Sequence, residues 1–434
     1  MFVGTDRSIC MITRRRLIYV HGYDPMGPNG YYGLFQNQIR KATLVWGVTA
    51  DVGPLTLESR DIASWTVTCR GPNWQVFTQY DFVRWEDIIN KYTRQPIVRQ
   101  IFRAMVWMVD DLITGTMART FRASWKFGMF LLVLQFLMLA WVAISLATGI
   151  FIGWALRQGL DWHPVVAFVA GAVESIVVFV ALWTLAERWF VIRINTHWPF
   201  LREFGRGEAT DFDRPVEVGA QRLKQAVAAN DADEIVLVGH SGGAPLVLCI
   251  VTRALELDPE LGRRGPRVVV MTVGSIIPCV AFHPSAHRMR ETVRRIAIEP
   301  SVAWIDCQAR MDAMNFWDFD PVAGIGVNAG AQRCNPLVWK VRFRDMPSHD
   351  SHNPIRLRKL RFRDMLSRDF YKRICLSFFR LHFRFIMANG ERSPYDYLML
   401  VCGPVSVEDW AKRKWDVIAE FAVDGTYRAI RGLS

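Results

Sequence analysis

A serine set between glycines is where this chain can do chemistry. In residues 234–251, EIVLVGHSGGAPLVLCIV, an apolar run ends in the turn Gly239-His240-Ser241-Gly242-Gly243, and an apolar stretch resumes directly after it. That order reads as a buried strand from Ile235 to Val238, a tight turn and a helix. This is the frame in which a Gly-x-Ser-x-Gly serine becomes a nucleophile. Gly239 and Gly243 leave room for a strained backbone that lifts the hydroxyl clear of its neighbours. The positive end of the following helix points at the place where an oxyanion would form. A serine hydroxyl is a weak nucleophile at neutral pH. It needs a histidine to take its proton and a carboxylate to hold that histidine in one tautomer. Without those partners the same glycines make only a structural turn.

The elements that must position such groups read as strands alternating with helices. Arg14 to Val20 forms a strand that runs straight into His21-Gly22-Tyr23-Asp24-Pro25, and a helix is expected from Tyr31 to Leu44. Residues 60–80 have the alternation and β-branched content of strands, and Pro215 to Ala229 reads as the helix leading into the serine's strand. Further strands are expected at Arg267 to Val273, Val302 to Cys307 and Trp339 to Phe343. Alternation of this kind indicates an α/β fold with a parallel sheet covered on both faces.

With Gly239-His240-Ser241-Gly242-Gly243 in that frame, and His21-Gly22-Tyr23 after an earlier strand, the chain resembles the α/β-hydrolase superfamily, bacterial lipase and esterase-like. The resemblance covers about 14–25, 215–320 and 339–385. It implies a hydrolase-type, mostly parallel sheet with helices on both faces, no cofactor and no metal. Ser241 would be the nucleophile, with an oxyanion hole made by the N–H groups of Tyr23 and Gly242. The acid follows the serine and the histidine comes last. Asp312, in the loop beyond the strand at 302–307, is the expected acid. Asp306, at the end of that strand, is the alternative, and Asp318 and Asp320 lie later and fit less well. Three histidines follow Asp312: His349, His352 and His382. Topology favours His349, which comes just after the strand ending near Arg344. However, VRFRDMPS at 341–348 recurs as LRFRDMLS at 360–367, which marks the stretch between as a duplication or an extra loop. His382 then becomes the expected base, in a His382-x-x-Phe385 pattern similar to the catalytic ends of some bacterial lipase-like hydrolases. His349 is the alternative, and His352 ranks third. Packed among Phe379, Phe383 and Phe385, His382 would equally serve as a core residue.

The net charge is +12, with 22% charged and 51% hydrophobic residues. This is a globular composition with an apolar surplus. No nucleic-acid signature accompanies the basic excess, so an anionic membrane surface is the expected partner and nucleic acid is excluded. The eight cysteines include no C-x-x-C pair and read as reduced thiols. His283 and His287, four residues apart, lack a zincin partner and read as loop histidines. The basic run Arg356, Arg358, Lys359, Arg361, Arg363 reads as a solvated face. The N-terminal residues carry no export signal.

The apolar surplus is concentrated in two runs. Phe127 to Leu156 is 30 residues without a charge, and Pro164 to Ala186 is 23 residues broken only by Glu174. About 20 apolar residues cross a bilayer as a helix, so a transmembrane hairpin is expected, with spans at about 127–156 and 164–186. Glu174 is expected to sit protonated in its span or to pair with Gln135. The outer flanks carry Lys91, Arg94, Arg99, Arg103, Arg119, Arg122 and Lys126 before, and Arg188 and Arg193 after, against one arginine in the link. By the positive-inside rule both flanks are cytoplasmic. Residues 97–125 read as a basic amphipathic helix at the membrane surface. The expected organisation is therefore 1–96 as the N-terminal part of a hydrolase domain, 97–195 as amphipathic helix and hairpin, and 196–434 as its C-terminal part. The expected protein is a serine esterase of lipase or lysophospholipase type, integral to a bacterial inner membrane with its hydrolase domain in the cytoplasm. Its substrate would be a lipid or acylated small molecule, and the oligomeric state stays open. The alternative is a hydrolase fold that has lost catalysis and serves as a membrane scaffold or partner-binding protein.

Overall fold

Three arginines lead into Leu17, Ile18, Tyr19 and Val20, all wholly buried. A continuous apolar run of this kind suits a strand covered on both faces. The computed structural model describes residues 11–188, 191–341, 381–412, 417–421 and 427–431. The strands are β1 (Arg14–Val20), β2 (Thr49–Val52), β3 (Thr56–Leu57), β4 (Ile62–Arg70), β5 (Gln75–Val83), β6 (Glu234–His240), β7 (Arg267–Val273), β8 (Val302–Ala309) and β9 (Leu337–Val341). They form one sheet in the order β2-β4-β5-β1-β6-β7-β8-β9, with β3 added on β4. From β5 to β9 every pairing is parallel. The other edge is antiparallel, because only a tight turn, closed by the Gly71 N–H on the Trp74 carbonyl at 3.0 Å, separates β4 from β5. On that edge Trp65 and Tyr80, directly opposite each other, stack at 4.1 Å. A small antiparallel pair, β10 (Val417–Phe421) and β11 (Tyr427–Arg431), stands apart from the main sheet.

The chain divides into two compact units, Met1–Asn90 with Glu203–Ser434, and Lys91–Arg202. In the first, helices cover both faces of the sheet. Tyr31, Phe35, Ile39 and Trp46 of the helix Gly27–Trp46 pack on Leu17, Tyr19, Val236, Val238 and Met271, together with residues of the helices Tyr397–Cys402 and Val407–Ala411. The helices Asp213–Ala229 and Gly243–Leu257 lie on the opposite face. The helices Tyr397–Cys402 and Val407–Ala411 of the C-terminal stretch are thus part of the core. Arg15 ties it to the sheet. Its Nε donates to Glu234 Oε2 at 2.9 Å, and its two terminal nitrogens donate to the carbonyls of Gly403 and Val405, both at 2.8 Å. Glu234 Oε1 accepts the Val407 N–H at 2.9 Å. Both side chains of the pair are fully buried.

The second unit contains two helices long and apolar enough to cross a membrane, Trp125–Gly159 and Pro164–Arg188. They begin and end within a few residues of the spans expected from sequence. The expected Gln135–Glu174 pair does not form. Gln135 Nε2 donates to Asn195 Oδ1 at 2.7 Å, and Glu174 Oε2 is buried with no hydrogen-bond partner among the described residues. The basic amphipathic stretch forms two helices, Ile97–Ile113 and Thr116–Ala123. The first buries Ala104 and Trp107 and leaves Val98, Phe102 and Ile113 exposed.

The Arg15–Glu234 pair generates a stability prediction. Arg15→Met leaves a buried carboxylate and two carbonyls without their donor and should cost about 3–5 kcal/mol. The double variant Arg15→Met, Glu234→Gln, with no buried charge left over, should lose less. Chemical unfolding of the detergent-solubilised chain measures both.

Candidate active site

Ser241 follows the last residue of β6 and precedes the helix Gly243–Leu257 by two residues. Its φ is 54°, in the left-handed region that a side chain disfavours. Strain of this kind costs about 1–3 kcal/mol and persists only where the surroundings over-determine it. Here they do. The Ser241 N–H donates to the Val273 carbonyl and the Ser241 carbonyl accepts the Ala244 N–H, both at 3.0 Å. Crowding on either side explains the glycines. A Cβ at Gly239 would lie 2.6 Å from Val247 Cγ1, and one at Gly243 would run into the carbonyls of Val20 and His21. Gly22, two residues after β1, approaches from the other strand, since a Cβ there would sit 3.2 Å from Ser241 Cβ. The Ser241 turn and the His21-Gly22-Tyr23 loop are therefore in direct contact. Ser241 is half-buried, and Gly242 is buried at the head of the helix.

Asp312 and His382, 70 residues apart in sequence, meet through Asp312 Oδ2 and His382 Nδ1 at 2.7 Å. Each is 2% exposed. A carboxylate only accepts, so Nδ1 carries a proton, and in the tautomer this selects Nε2 is the nitrogen left with a lone pair. Nε2 is buried and has no hydrogen-bond partner among the described residues, the Ser241 hydroxyl included. The other Asp312 oxygen accepts the Met314 N–H at 2.8 Å, and Asn315 Nδ2 donates to the Asp312 and Ala309 carbonyls at 2.9 and 2.8 Å. The loop after β8 is thus held by bonds of its own besides the one to the histidine.

Two neighbours of His382 are not readable from the sequence. Gly274 follows β7 with φ of 56°, and a Cβ there would lie 2.8 Å from His382 Cε1. The Ser241 backbone N–H bonds the Val273 carbonyl and the His382 ring lies against Gly274, the next residue. His240, inside the turn, stacks on His382 with ring centres 5.0 Å apart and reaches its carbonyl through Nε2 at 3.4 Å. Burial, with His382 beside it, holds the His240 imidazole well below the usual histidine range. A second positive charge against His382 is thereby avoided.

The alternative acid, Asp306, is not near this pair. It accepts from Thr272 Oγ1 at 2.5 Å and from Gln308 Nε2 at 2.8 Å, within the sheet. As a residue of β8 it turns its side chain to the neighbouring strand, whereas Asp312 stands beyond the strand end, where loops converge. Asp318 pairs with Lys340 and Asp320 with Arg333. His349, His352 and the basic run from Arg356 to Arg363 lie outside the described residues. His283 Nδ1 accepts the Ser285 N–H at 3.1 Å, and His287 Nδ1 lies 3.1 Å from Arg290, so both serve their own loop.

Comparison with known proteins gives no matching family model, no similar curated protein and no similar solved structure. The site stands on its geometry.

Asp306 generates a pH prediction. Burial raises its carboxyl from 3.8 to about 6. A group whose folded pKa lies above its unfolded value contributes stability that is complete below the unfolded pKa and lost as pH rises through the folded one. Wild type should therefore lose about 3 kcal/mol, relative to Asp306→Asn, between pH ~4 and pH ~6. Unfolding midpoints of the two proteins across that range test it.

Proposed function

We propose that the chain is a membrane-tethered serine hydrolase that cleaves ester bonds. The observation that carries this reading is the buried Asp312–His382 bond at 2.7 Å, with an unpartnered Nε2, and with the His382 ring stacked on His240, the residue before a serine whose φ is 54°. Strand order supports a hydrolase-type fold. The strand ending in His21-Gly22-Tyr23 lies beside the strand ending in Ser241, the acid follows β8, and the histidine comes last.

The chemistry follows from these groups. Nε2 takes the Ser241 proton as Oγ bonds the ester carbonyl carbon, and the imidazolium is stabilised by Asp312. The N–H groups of Gly242 and Tyr23 receive the negative charge that develops on the carbonyl oxygen. The carbonyl carbon–alkoxide bond breaks as Nε2–H gives its proton to the leaving oxygen, and an acyl-serine remains. Water then adds with its proton passing to Nε2. The carbon–Oγ bond breaks as Nε2–H returns its proton to Oγ, and the acid leaves with the serine restored.

Lipids or acylated small molecules are the substrates we favour, because a hairpin through the bilayer keeps the site close to them. The basic flanks on both sides of the hairpin favour a cytoplasmic hydrolase unit, and a bacterial inner membrane is the setting we favour. An arrangement with a paired Asp and His and an unpartnered Nε2 weighs against an inactive scaffold.

The test is labelling with a fluorophosphonate probe and hydrolysis of p-nitrophenyl esters by the detergent-solubilised chain. Wild type should label, Ser241→Ala should not, and Asp312→Asn should lower kcat by about 10⁴-fold. Gly274→Val, which would displace the His382 ring, should lower kcat as well. A wild type that neither labels nor turns over esters overturns the reading and leaves the scaffold in its place.

A further inference from the structure

We infer that the helix Ile97–Ile113 lies along the bilayer that the hairpin crosses, on the side of its basic flanks, with its exposed face set among anionic lipids; this rests on the membrane-tethered reading above and not on the hydrolysis. The helix is built the wrong way round for water. Val98, Phe102, Val106, Val109 and Ile113 are all exposed, Val98 by 79% and Ile113 by 81%. Spacings of four, four, three and four residues keep the five on one face, with Leu112 at its edge. The opposite face is buried, and it holds the polar groups of Gln100 and Asp111 beside Ala104 and Trp107. A helix on a water-facing surface turns its polar side out and its apolar side in.

The hairpin sets the depth of this helix. Ile97 and Ile101 pack on Trp183, together with Trp141 and Phe179 of the two spans. The helix Pro164–Arg188 begins at the short link on the far side of the bilayer, and Trp183 is its twentieth residue. At 1.5 Å per residue Trp183 therefore stands about 30 Å from that start. The hydrocarbon core is about as thick. Trp183 thus falls at the boundary between acyl chains and headgroups, where tryptophan side chains collect. Ile97–Ile113 is docked at that level.

The charges agree with this placement. Residues 91–126 hold Lys91, Arg94, Arg99, Arg103, Arg119, Arg122 and Lys126 against two acids, Asp110 and Asp111. Arg202 Nε donates to Asp110 Oδ2 at 2.6 Å, and Asp111 is buried. Arg94, Arg99 and Arg122 are exposed, as is Trp125 at the head of the first span. The segment thus exposes apolar and basic side chains and keeps its acids bonded or buried. That combination suits acyl chains beneath anionic headgroups. A second copy of the chain would bring the same positive charge to the contact.

The test is photo-cross-linking of the full chain in vesicles of phosphatidylethanolamine and phosphatidylglycerol. The photoreactive residue p-benzoylphenylalanine replaces Phe102, Val106 or Val109, one at a time, and all three positions are exposed enough to accept it. On irradiation each variant should gain the mass of one phospholipid, with phosphatidylglycerol captured in excess of its share of the vesicle. Arg94→Gln with Arg99→Gln should remove that excess. The same replacement at Val177, exposed on the second span, reports on the hairpin alone. Lipid captured at Val177 but not at the three helix positions overturns the proposal and leaves the membrane reading intact. Cross-links that join two copies of the chain through those positions overturn it as well, and make the face a dimer interface. Capture with no preference for phosphatidylglycerol overturns its anionic part. No lipid at Val177 overturns the membrane reading, and the proposal with it.

Discussion

Everything at the candidate site depends on the parallel pairing of β1 with β6, two strands whose paired residues Arg15 and Glu234 are 219 positions apart. Their register sets Val20 beside Gly239, so the two chains leave the sheet at the same level and on the same edge. From that follow the contact of Gly22 with Ser241 and the close approach of Gly243 to the carbonyls of Val20 and His21. At the far end of the same pair, the Arg15–Glu234 bridge and its bonds to Gly403, Val405 and Val407 secure the strands against sliding. A one-residue slip would reverse every side chain on the strand and separate the loop from the serine. The whole apolar insertion of Lys91–Arg202 falls between these two strands in sequence.

Parallel strands deliver their C-terminal ends to one edge, and this is how residues from distant parts of the chain meet there. The ends of β1, β6, β7 and β8 supply Gly22, Ser241, Gly274 and the Asp312 loop in turn. The polar groups gathered at that edge are kept neutral or paired. His21 and His240 are buried and held uncharged, and Asp312 shares its charge with His382 and the Met314 N–H. In the proposed hydrolysis the positive charge formed during proton transfer would fall on His382 alone, against the one carboxylate bonded to it. Low local dielectric strengthens that interaction.

How legible this was depended on the range of each signal. The Ser241 turn is local. Strand, glycines and helix lie within a dozen or so residues, and the crowding that demands Gly239 and Gly243 is written into the motif. Asp312 was legible through order along the chain, and His382 through the near-repeat of 341–348 at 360–367 that set the earlier histidines aside. The element boundaries in the sheet were close, because uniformly apolar strands such as Arg267–Val273 announce themselves. What escaped was non-local. Nothing near Gly274 says that a histidine from beyond residue 380 will lie on it. Gln135 finds Asn195 instead of Glu174, because a third helix packs against the first span. The residues after Pro394 carry no motif, and their place in the core shows only when Arg15 and Trp46 are seen to reach them. The antiparallel edge was hidden for another reason: the alternation in residues 60–80 specifies strands and leaves their direction to the turn between them.

The central claim is that Ser241, His382 and the N–H groups of Tyr23 and Gly242 converge on one reacting atom. The most direct measurement is an experimental structure of the full chain after reaction with a fluorophosphonate. The account predicts a phosphonyl group on Ser241 Oγ, its oxygen within hydrogen-bond distance of the Tyr23 and Gly242 N–H groups, and His382 Nε2 beside the serine oxygen with Asp312 still on Nδ1. An adduct on another residue, or one on Ser241 whose oxygen meets neither N–H, would contradict it.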